Sequence, residues 1–163
     1  MPIRYTIGDA TRPFADGAKI ICHTCNDIGA WGAGFVVALS RRWPEPEKVY
    51  REWHGGRRPD DMPFALGSAQ FVSVQTDITV ANMIGQHGIA QRGHTGAPPV
   101  RYEAIRQALR HVADYATAQS ASVHMPRIGA GLAGGDWTTI ERIIEDELCA
   151  RSIPATVYDF PRR

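Results

Sequence analysis

At 163 residues, with 44% hydrophobic and 21% charged side chains, the chain has the length and balance of one globular domain with its own core, expected to span residues 1–163. A formal net charge of +1 gives no electrostatic case for a general nucleic-acid or membrane binder, and no apolar run reaches the length of a membrane span. Three cysteines, an odd number, argue against a disulfide framework, and no signal-peptide pattern precedes the first strand, so a cytoplasmic protein is expected.

Arg4-Tyr5-Thr6-Ile7 alternates as a strand does, and Gly8-Asp9-Ala10-Thr11 stops it. Asp9 is a turn residue or a carboxylate placed at a strand end to accept from a ligand amine. Ala18 to Thr24 is an apolar run suited to a central strand buried on both faces. Cys22-His23-Thr24-Cys25 spells C-x-x-C, but it ends a strand and no second ligand pair follows, so the cysteines read as small strand-end residues and no metal is expected. Asn26-Asp27-Ile28-Gly29-Ala30-Trp31-Gly32-Ala33-Gly34 then leads into an amphipathic helix over Phe35 to Trp43.

Pro44-Glu45-Pro46 breaks the chain, and a second helix is expected from Glu47 to His54. Gly55 to Pro63 reads as a loop. Leu66 to Val74 and Ile78 to Ile84 read as two strands, the second ending in the polar cluster Asn82, Gln86 and His87. From His87 to Pro99, which includes Gln91, Arg92 and His94, there is no periodicity, and a lid and a plain loop are equally good readings. A helix follows on the stripe Tyr102, Ile105, Leu109, Val112 and Ala116, with His111 at its edge.

The stretch Ser122 to Trp137 reads as strand, glycine-rich loop and helix, with Asp136 a plausible N-cap. Glycines let backbone N–H groups turn towards a ligand and a helix N-terminus adds positive potential, so the natural ligand of such a loop is a phosphate. No lysine follows these glycines, which disfavours a P-loop. Gly129, Gly131 and Gly134 satisfy G-x-G-x-x-G, but too late in the chain for the dinucleotide fingerprint. A tight turn without ligand is the plain alternative. Ala155 to Phe160 supplies a last strand, giving an α/β sandwich of about six strands flanked by helices. Two strand, Gly-loop, helix units suit one ligand carrying more than one phosphate.

Gly8-Asp9, Asn26 with the Gly29 to Gly34 loop, and Pro126-Arg127-Ile128-Gly129-Ala130-Gly131-Leu132 with Trp137 together resemble a macrodomain, the ADP-ribose-binding module, over nearly the whole chain. The Met125 to Leu132 form and the Met83-Ile84-Gly85-Gln86 strand end look most like the class containing the terminal ADP-ribose protein glycohydrolase and the antitoxin that removes ADP-ribose from thymidine in DNA. The resemblance implies a three-layer α/β/α sandwich with a mixed sheet. It implies that Gly8, Asp9 and Ala10 meet the adenine, with Asp9 accepting from its amino group and Tyr158 or Phe160 forming a wall. Ile128, Gly129, Ala130, Gly131, Leu132 and Ala133 would carry the diphosphate, and Gly29, Gly32, Ala33 and Gly34 would enclose the distal ribose, with Asn26 on its hydroxyls.

The lysine and aspartate of the related glycohydrolase align with Gln86 and Ala133 here, so a covalent lysine adduct is not available. The expected chemistry is hydrolysis by an oriented water, with Asn26 and Gln86 fixing the ribose and Asp27 or Asp136 as candidate bases. His23, His87 and His94 are acid/base groups by chemistry alone, and histidines beside glycine loops are often surface residues. The expected substrates are ADP-ribosylated protein, as Asp/Glu esters, or ADP-ribosylated thymidine in single-stranded DNA, whose backbone Arg57, Arg58, Arg92 and Arg101 could touch. No cofactor, membrane or stable protein partner is expected. A reader that binds ADP-ribose without turnover, and an unrelated nucleotide-binding domain, are the competing readings.

Overall fold

The computed structural model describes residues 1–90 and 96–161. Its elements in chain order are β1 (Arg4–Ile7), β2 (Lys19–Asn26), α1 (Phe35–Arg42), α2 (Glu45–His54), β3 (Ala69–Gln75), β4 (Ile78–Gln86), α3 (Tyr102–Gln119), β5 (Ser122–Met125), α4 (Trp137–Glu147) and β6 (Ala155–Asp159). The strands form one six-stranded sheet in the order β1-β6-β5-β2-β4-β3. β1, β6, β5, β2 and β4 are mutually parallel, and β3 joins the edge antiparallel to β4.

The alternation of side chains along each strand divides the core in two. Ile20 and Cys22 of β2 and Ala81 and Met83 of β4 face α3 and α4, packing with Ile105, Leu109, Val112, Ile140 and Ile144. Ile21 and Cys25 of β2 and Val80 and Ile84 of β4 face the other way, onto Leu39 of α1 and Tyr50 and Trp53 of α2. The result is a three-layer α/β/α sandwich. β2 and β4 are buried on both faces, as expected of central parallel strands.

Several boundaries differ from the sequence expectation. Helix α2 begins at Glu45, because a proline in the first turn costs no intrahelical bond and its fixed φ suits the helix. β3 begins at Ala69, since Gly67, at φ +92, spends its N–H on the Ile84 carbonyl before the ladder starts. β2 and β4 both run on to Asn26 and Gln86, which pair across a bulge at the strand ends. Cys22 is a mid-strand core residue rather than a strand-end one, and all three cysteines are buried and free. His23 and His124 are likewise buried, at 2% and 1% exposure, so the surface reading of His23 does not hold. The segment holding Gln91, Arg92 and His94 lies outside the described residues. No described helix is long and apolar enough to cross a membrane.

Candidate functional site

Because five strands are parallel, their C-terminal ends, at Ile7, Asn26, Gln86, Met125 and Asp159, lie along one side of the sheet, and the loops that follow gather there. Three cavities of about 410, 260 and 400 Å³ run along this side and share walls, forming one continuous groove.

The first cavity is lined by Gly8, Asp9 and Ala10 after β1, by Phe35 and Ala38 of α1, and by Tyr158 and Phe160 at the end of β6. Asp9 Oδ1 accepts from the Thr11 N–H at 2.8 Å and the Thr11 hydroxyl at 2.7 Å, so the carboxylate builds the turn and also lines the cavity. Its Oδ2 has no hydrogen-bond partner among the described residues, and the Arg42 guanidinium is a nearby opposite charge. Tyr158 is buried. Its hydroxyl accepts from the Phe14 N–H and is hydrogen-bonded to His124 Nδ1 at 2.7 Å, and His124 Nε2 is hydrogen-bonded to Ser122 Oγ at 2.7 Å. Burial, with the Lys19 ammonium nearby, pushes His124 down to about 4. Phe160 is 68% exposed, an open ring at the rim.

The middle cavity lies between the Gly129 to Ala133 loop and the N-terminus of α1. The loop closes on itself through Gly135 N–H to the Gly129 carbonyl at 2.7 Å and Gly134 N–H to that of Gly131 at 3.0 Å. The N–H groups of Gly131, Leu132 and Ala133 have no acceptor among the described residues. Gly129 at φ +71 and Gly34 at φ +78 take backbone conformations that a Cβ would strain. Gly34 is the N-cap of α1 and offers no side chain to its first turn; Val37 N–H bonds to the Gly34 carbonyl at 3.1 Å, and Phe35 and Val36, which line the cavity, keep their N–H groups uncapped. Arg127 lines this cavity and the first. Its guanidinium pairs in a fork with the Asp159 carboxylate, at 2.6 and 3.0 Å, and lies over the Tyr5 and Trp137 rings. The sequence motif contained Arg127, but its charge alone did not separate it from a surface arginine.

The third cavity is lined by Thr24, Asn26, Trp31, Gly32, Ala33, Val36, Arg51, Gln86, Ile89 and Leu132 among others, and Gln86 also lines the middle one. Asn26 is 7% exposed and its amide organises its own loop. Nδ2 donates to the Ala30 carbonyl at 2.7 Å, and Oδ1 accepts from Ile28 N–H, Ala30 N–H and the Tyr50 hydroxyl. One amide hydrogen is left for a ligand. Gln86 Nε2 donates to the Gly88 carbonyl at 3.0 Å, which leaves its Oε1 as a free acceptor. Asp27 does not line the cavity. Its carboxylate accepts from the Gly88 N–H at 2.8 Å and meets His87 Nδ1 at 2.7 Å, tying the loops after β2 and β4 together, and those contacts outweigh partial burial and hold its pKa below the usual range. The His87 ring is mostly exposed.

His23 forms part of the floor of the middle cavity. Asn82 Nδ2 donates to the Pro46 and Gln70 oxygens, so Asn82 Oδ1 must accept from His23 Nε2–H, at 2.6 Å. The ring packs against Trp31 and Phe35, and burial pushes it down to about 4. It is a neutral wall, not a proton donor to the groove.

Of the residues singled out from sequence, Gly8, Asp9, Ala10, Asn26, Gly32, Ala33, Gly34, Gln86, Ile128, Gly129, Gly131, Leu132, Tyr158 and Phe160 line the groove. Ile128 and Ala133 are buried and offer backbone rather than side chains. Gly29, Ala130 and Asp136 are not among its walls. A Cβ on Gly29 would strike the His54 ring, which is why that position is bare. Asp136 caps α4, accepting from Thr139 N–H at 3.0 Å and its hydroxyl at 2.8 Å. Arg57, Arg58 and Arg101 are not among the groove's walls, and Arg92 lies outside the described residues: Arg58 faces Glu52, and Arg101 donates to the carbonyls of Pro98, Pro99 and Val100. No group of three or more metal-ligating side chains occurs among the described residues.

No family model matches the chain. Among solved structures, a macrodomain protein from Streptomyces coelicolor is 55% identical, with 96% of this chain and 98% of that one aligned at a TM-score of 0.83. A Bacteroides thetaiotaomicron protein described as of unknown function is 53% identical over 98% of both chains, at 0.89. Among curated proteins, the mouse chromodomain-helicase-DNA-binding protein 1-like is 32% identical over 98% of this chain, which spans only 18% of that protein's length. An ADP-ribose 1''-phosphate phosphatase of Chaetomium globosum is 27% identical over 88% of this chain and 85% of its own. With 55% identity to a macrodomain protein over almost the full length of both, and the same sandwich, the chain belongs to the macrodomain family.

Proposed function

We propose that the protein binds ADP-ribose along the groove and hydrolyses the bond joining its distal ribose to a modified macromolecule, either an Asp/Glu ester on protein or thymidine in single-stranded DNA. The observation that carries this reading is the run of three joined cavities. They hold a free carboxylate oxygen at one end, two sets of unpaired N–H groups in the middle and the unpaired Gln86 acceptor at the other. That sequence of groups complements an amine, a diphosphate and a hydrated sugar in turn. The relative named as an ADP-ribose 1''-phosphate phosphatase supports the same ligand and a hydrolytic reaction at the distal end.

In this scheme Asp9 Oδ2 accepts from the adenine amine, with Tyr158 and Phe160 beside the ring. Gly131, Leu132, Ala133 and the first turn of α1 donate to the diphosphate. Asn26 shapes the loop over the distal ribose and spends its remaining N–H on a hydroxyl. Gln86 Oε1 accepts from a water and aims its oxygen at the anomeric carbon. The C–O bond to water forms as the bond to the leaving oxygen or nitrogen breaks. The electron pair departs with the leaving group, and the water proton passes to that group. Among the described residues no lysine lines the groove, so no lysine adduct takes part. The protein acts as one macrodomain in the cytoplasm.

One observation favours a reader instead: among the described residues, Arg51 is the only charged side chain lining the third cavity. Turnover separates the two. Purified protein is given glutamate-linked ADP-ribosylated protein and thymidine-ADP-ribosylated single-stranded DNA, with ADP-ribose, ADP and AMP binding measured by calorimetry. Release from either substrate supports the hydrolase and identifies the leaving group. Tight ADP-ribose binding without release establishes a reader, and equal affinity for ADP-ribose and AMP refutes both.

A further inference from the structure

A cavity of about 1010 Å³ shares no residue with the groove. It lies along β3, the edge strand, which pairs only with β4. Phe71 and Val72 are neighbours in β3 and project to opposite faces of the sheet, yet both line this cavity, so it opens along the strand's edge. Its walls come from both outer layers, α2 on one side and α3 on the other.

Ala69 at the start of this edge is buried, and from Phe71 onward the outward main chain has no backbone partner among the described residues. Ala69 N–H points away from β4, with only the Met62 sulfur at 3.5 Å as acceptor. In an antiparallel ladder every second residue turns its N–H and C=O the same way, so Phe71 and Ser73 also present theirs to the cavity. Neither has a backbone partner there among the described residues. Exposed edges are normally blunted by lysine, proline or a covering element. The sequence of β3, Ala-Gln-Phe-Val-Ser-Val-Gln, has neither residue and no charge.

The walls select by charge. Asp114 is paired with Arg151, and Arg58 faces Glu52. Glu45, Asp60 and Asp61 have no cationic partner among the described residues, against Lys48 alone, so the trough is acidic. The Phe71 ring stacks on Tyr115, at 4.2 Å between centroids and 6° between planes, giving an apolar platform beside the edge. A second copy of this chain would bring the same carboxylates together, which opposes edge-to-edge pairing.

We infer that the β3 edge is a docking site for an extended basic peptide segment of a partner protein, which adds as a seventh strand with its cationic side chains towards Glu45, Asp60 and Asp61.

The test titrates the isotope-labelled protein with a peptide of roughly ten residues alternating valine with lysine or arginine. Three controls accompany it: the same peptide N-methylated at every second residue, a counterpart with glutamate for each cation, and the unmodified peptide with ADP-ribose present. Saturable shifts of the Ala69 to Gln75 amides are expected. N-methylation should weaken binding about tenfold or more, because it removes strand hydrogen bonds without touching the protein's fold. Glu45→Lys with Asp61→Lys should weaken it by a similar factor, and ADP-ribose should leave it unchanged. Equal binding of the N-methylated or the acidic peptide overturns the proposal, as do shifts scattered away from β3. Concentration-dependent dimerisation through β3 without peptide binding would also overturn it, in favour of a second copy.

Discussion

Asp9→Asn isolates the adenine contact from the turn that carries it. In the native protein Oδ1 holds Thr11 through two short bonds while Oδ2 is free. An asparagine keeps Oδ1 on Thr11 and replaces Oδ2 with an NH₂ group, so a donor faces the donor amine of adenine. The loss is one hydrogen bond to a charged acceptor, about 1.5–3 kcal/mol, or roughly a 10- to 150-fold weaker dissociation constant for ADP-ribose. Because the turn survives, the melting temperature should stay within a degree or two of wild type. Calorimetry with ADP-ribose and with its hypoxanthine analogue, whose ring carries an acceptor at the same position, makes the measurement specific: the variant should recover much of its affinity for the analogue. An unchanged affinity for ADP-ribose in a folded Asp9→Asn protein would refute the placement of adenine at this end. So would an equal loss for both ligands.

Gln86→Ala removes a free acceptor shared by the middle and third cavities. It should lower kcat by about tenfold or more while ADP-ribose affinity falls little, and full turnover in that variant would exclude Gln86 from the chemistry. Asp136→Ala should cost about 1 kcal/mol of stability, read from urea unfolding, through loss of the α4 cap, and leave kcat unchanged. Stability should fall as pH drops from about 6.5 towards 4, because His23 and His124 are held neutral with folded pKa values near 4 while the unfolded chain takes up protons near 6.5. The contribution of each is present above the unfolded value, is lost as pH falls to the folded one, and reaches about 3 kcal/mol. Urea unfolding at pH 7.5, 6 and 5 measures it, and a His23→Gln protein with an unchanged slope would contradict the assignment. Carboxylates such as Asp27 and Asp159, whose folded values are depressed, add their own losses only below the His window.

The elements were legible in the sequence because their signals are local. A central strand such as β2 is a run of apolar residues, α3 is a stripe at helical spacing, and the glycines of both loops stand where φ turns positive or N–H groups must be bared. That Asp9, Gly34, Gly129 and Phe160 share one groove was implied by the resemblance to macrodomains, and the parallel order of β1, β2, β5 and β6 puts their strand ends on one side of the sheet. The type of each side chain, and so the chemistry it can offer, is also a property of the sequence.

What each side chain is free to do was decided by tertiary contacts. Asn26 read as a ligand for ribose hydroxyls, but Tyr50, twenty-four positions on, and the Ala30 carbonyl take up most of its amide. Asp27 and His87 are sixty residues apart and meet only because β2 and β4 are neighbours in register. His23 is neutral because burial under two aromatic rings from α1 and its loop outweighs the Asn82 oxygen on the next strand, which by itself favours the protonated ring. The open edge of β3 follows from the strand order, which no local pattern contains. Periodicity and turn chemistry act over a few residues and survive in one dimension. Hydrogen-bond saturation, desolvation and edge exposure depend on which distant segments come to lie alongside, and only the folded sheet brings those together.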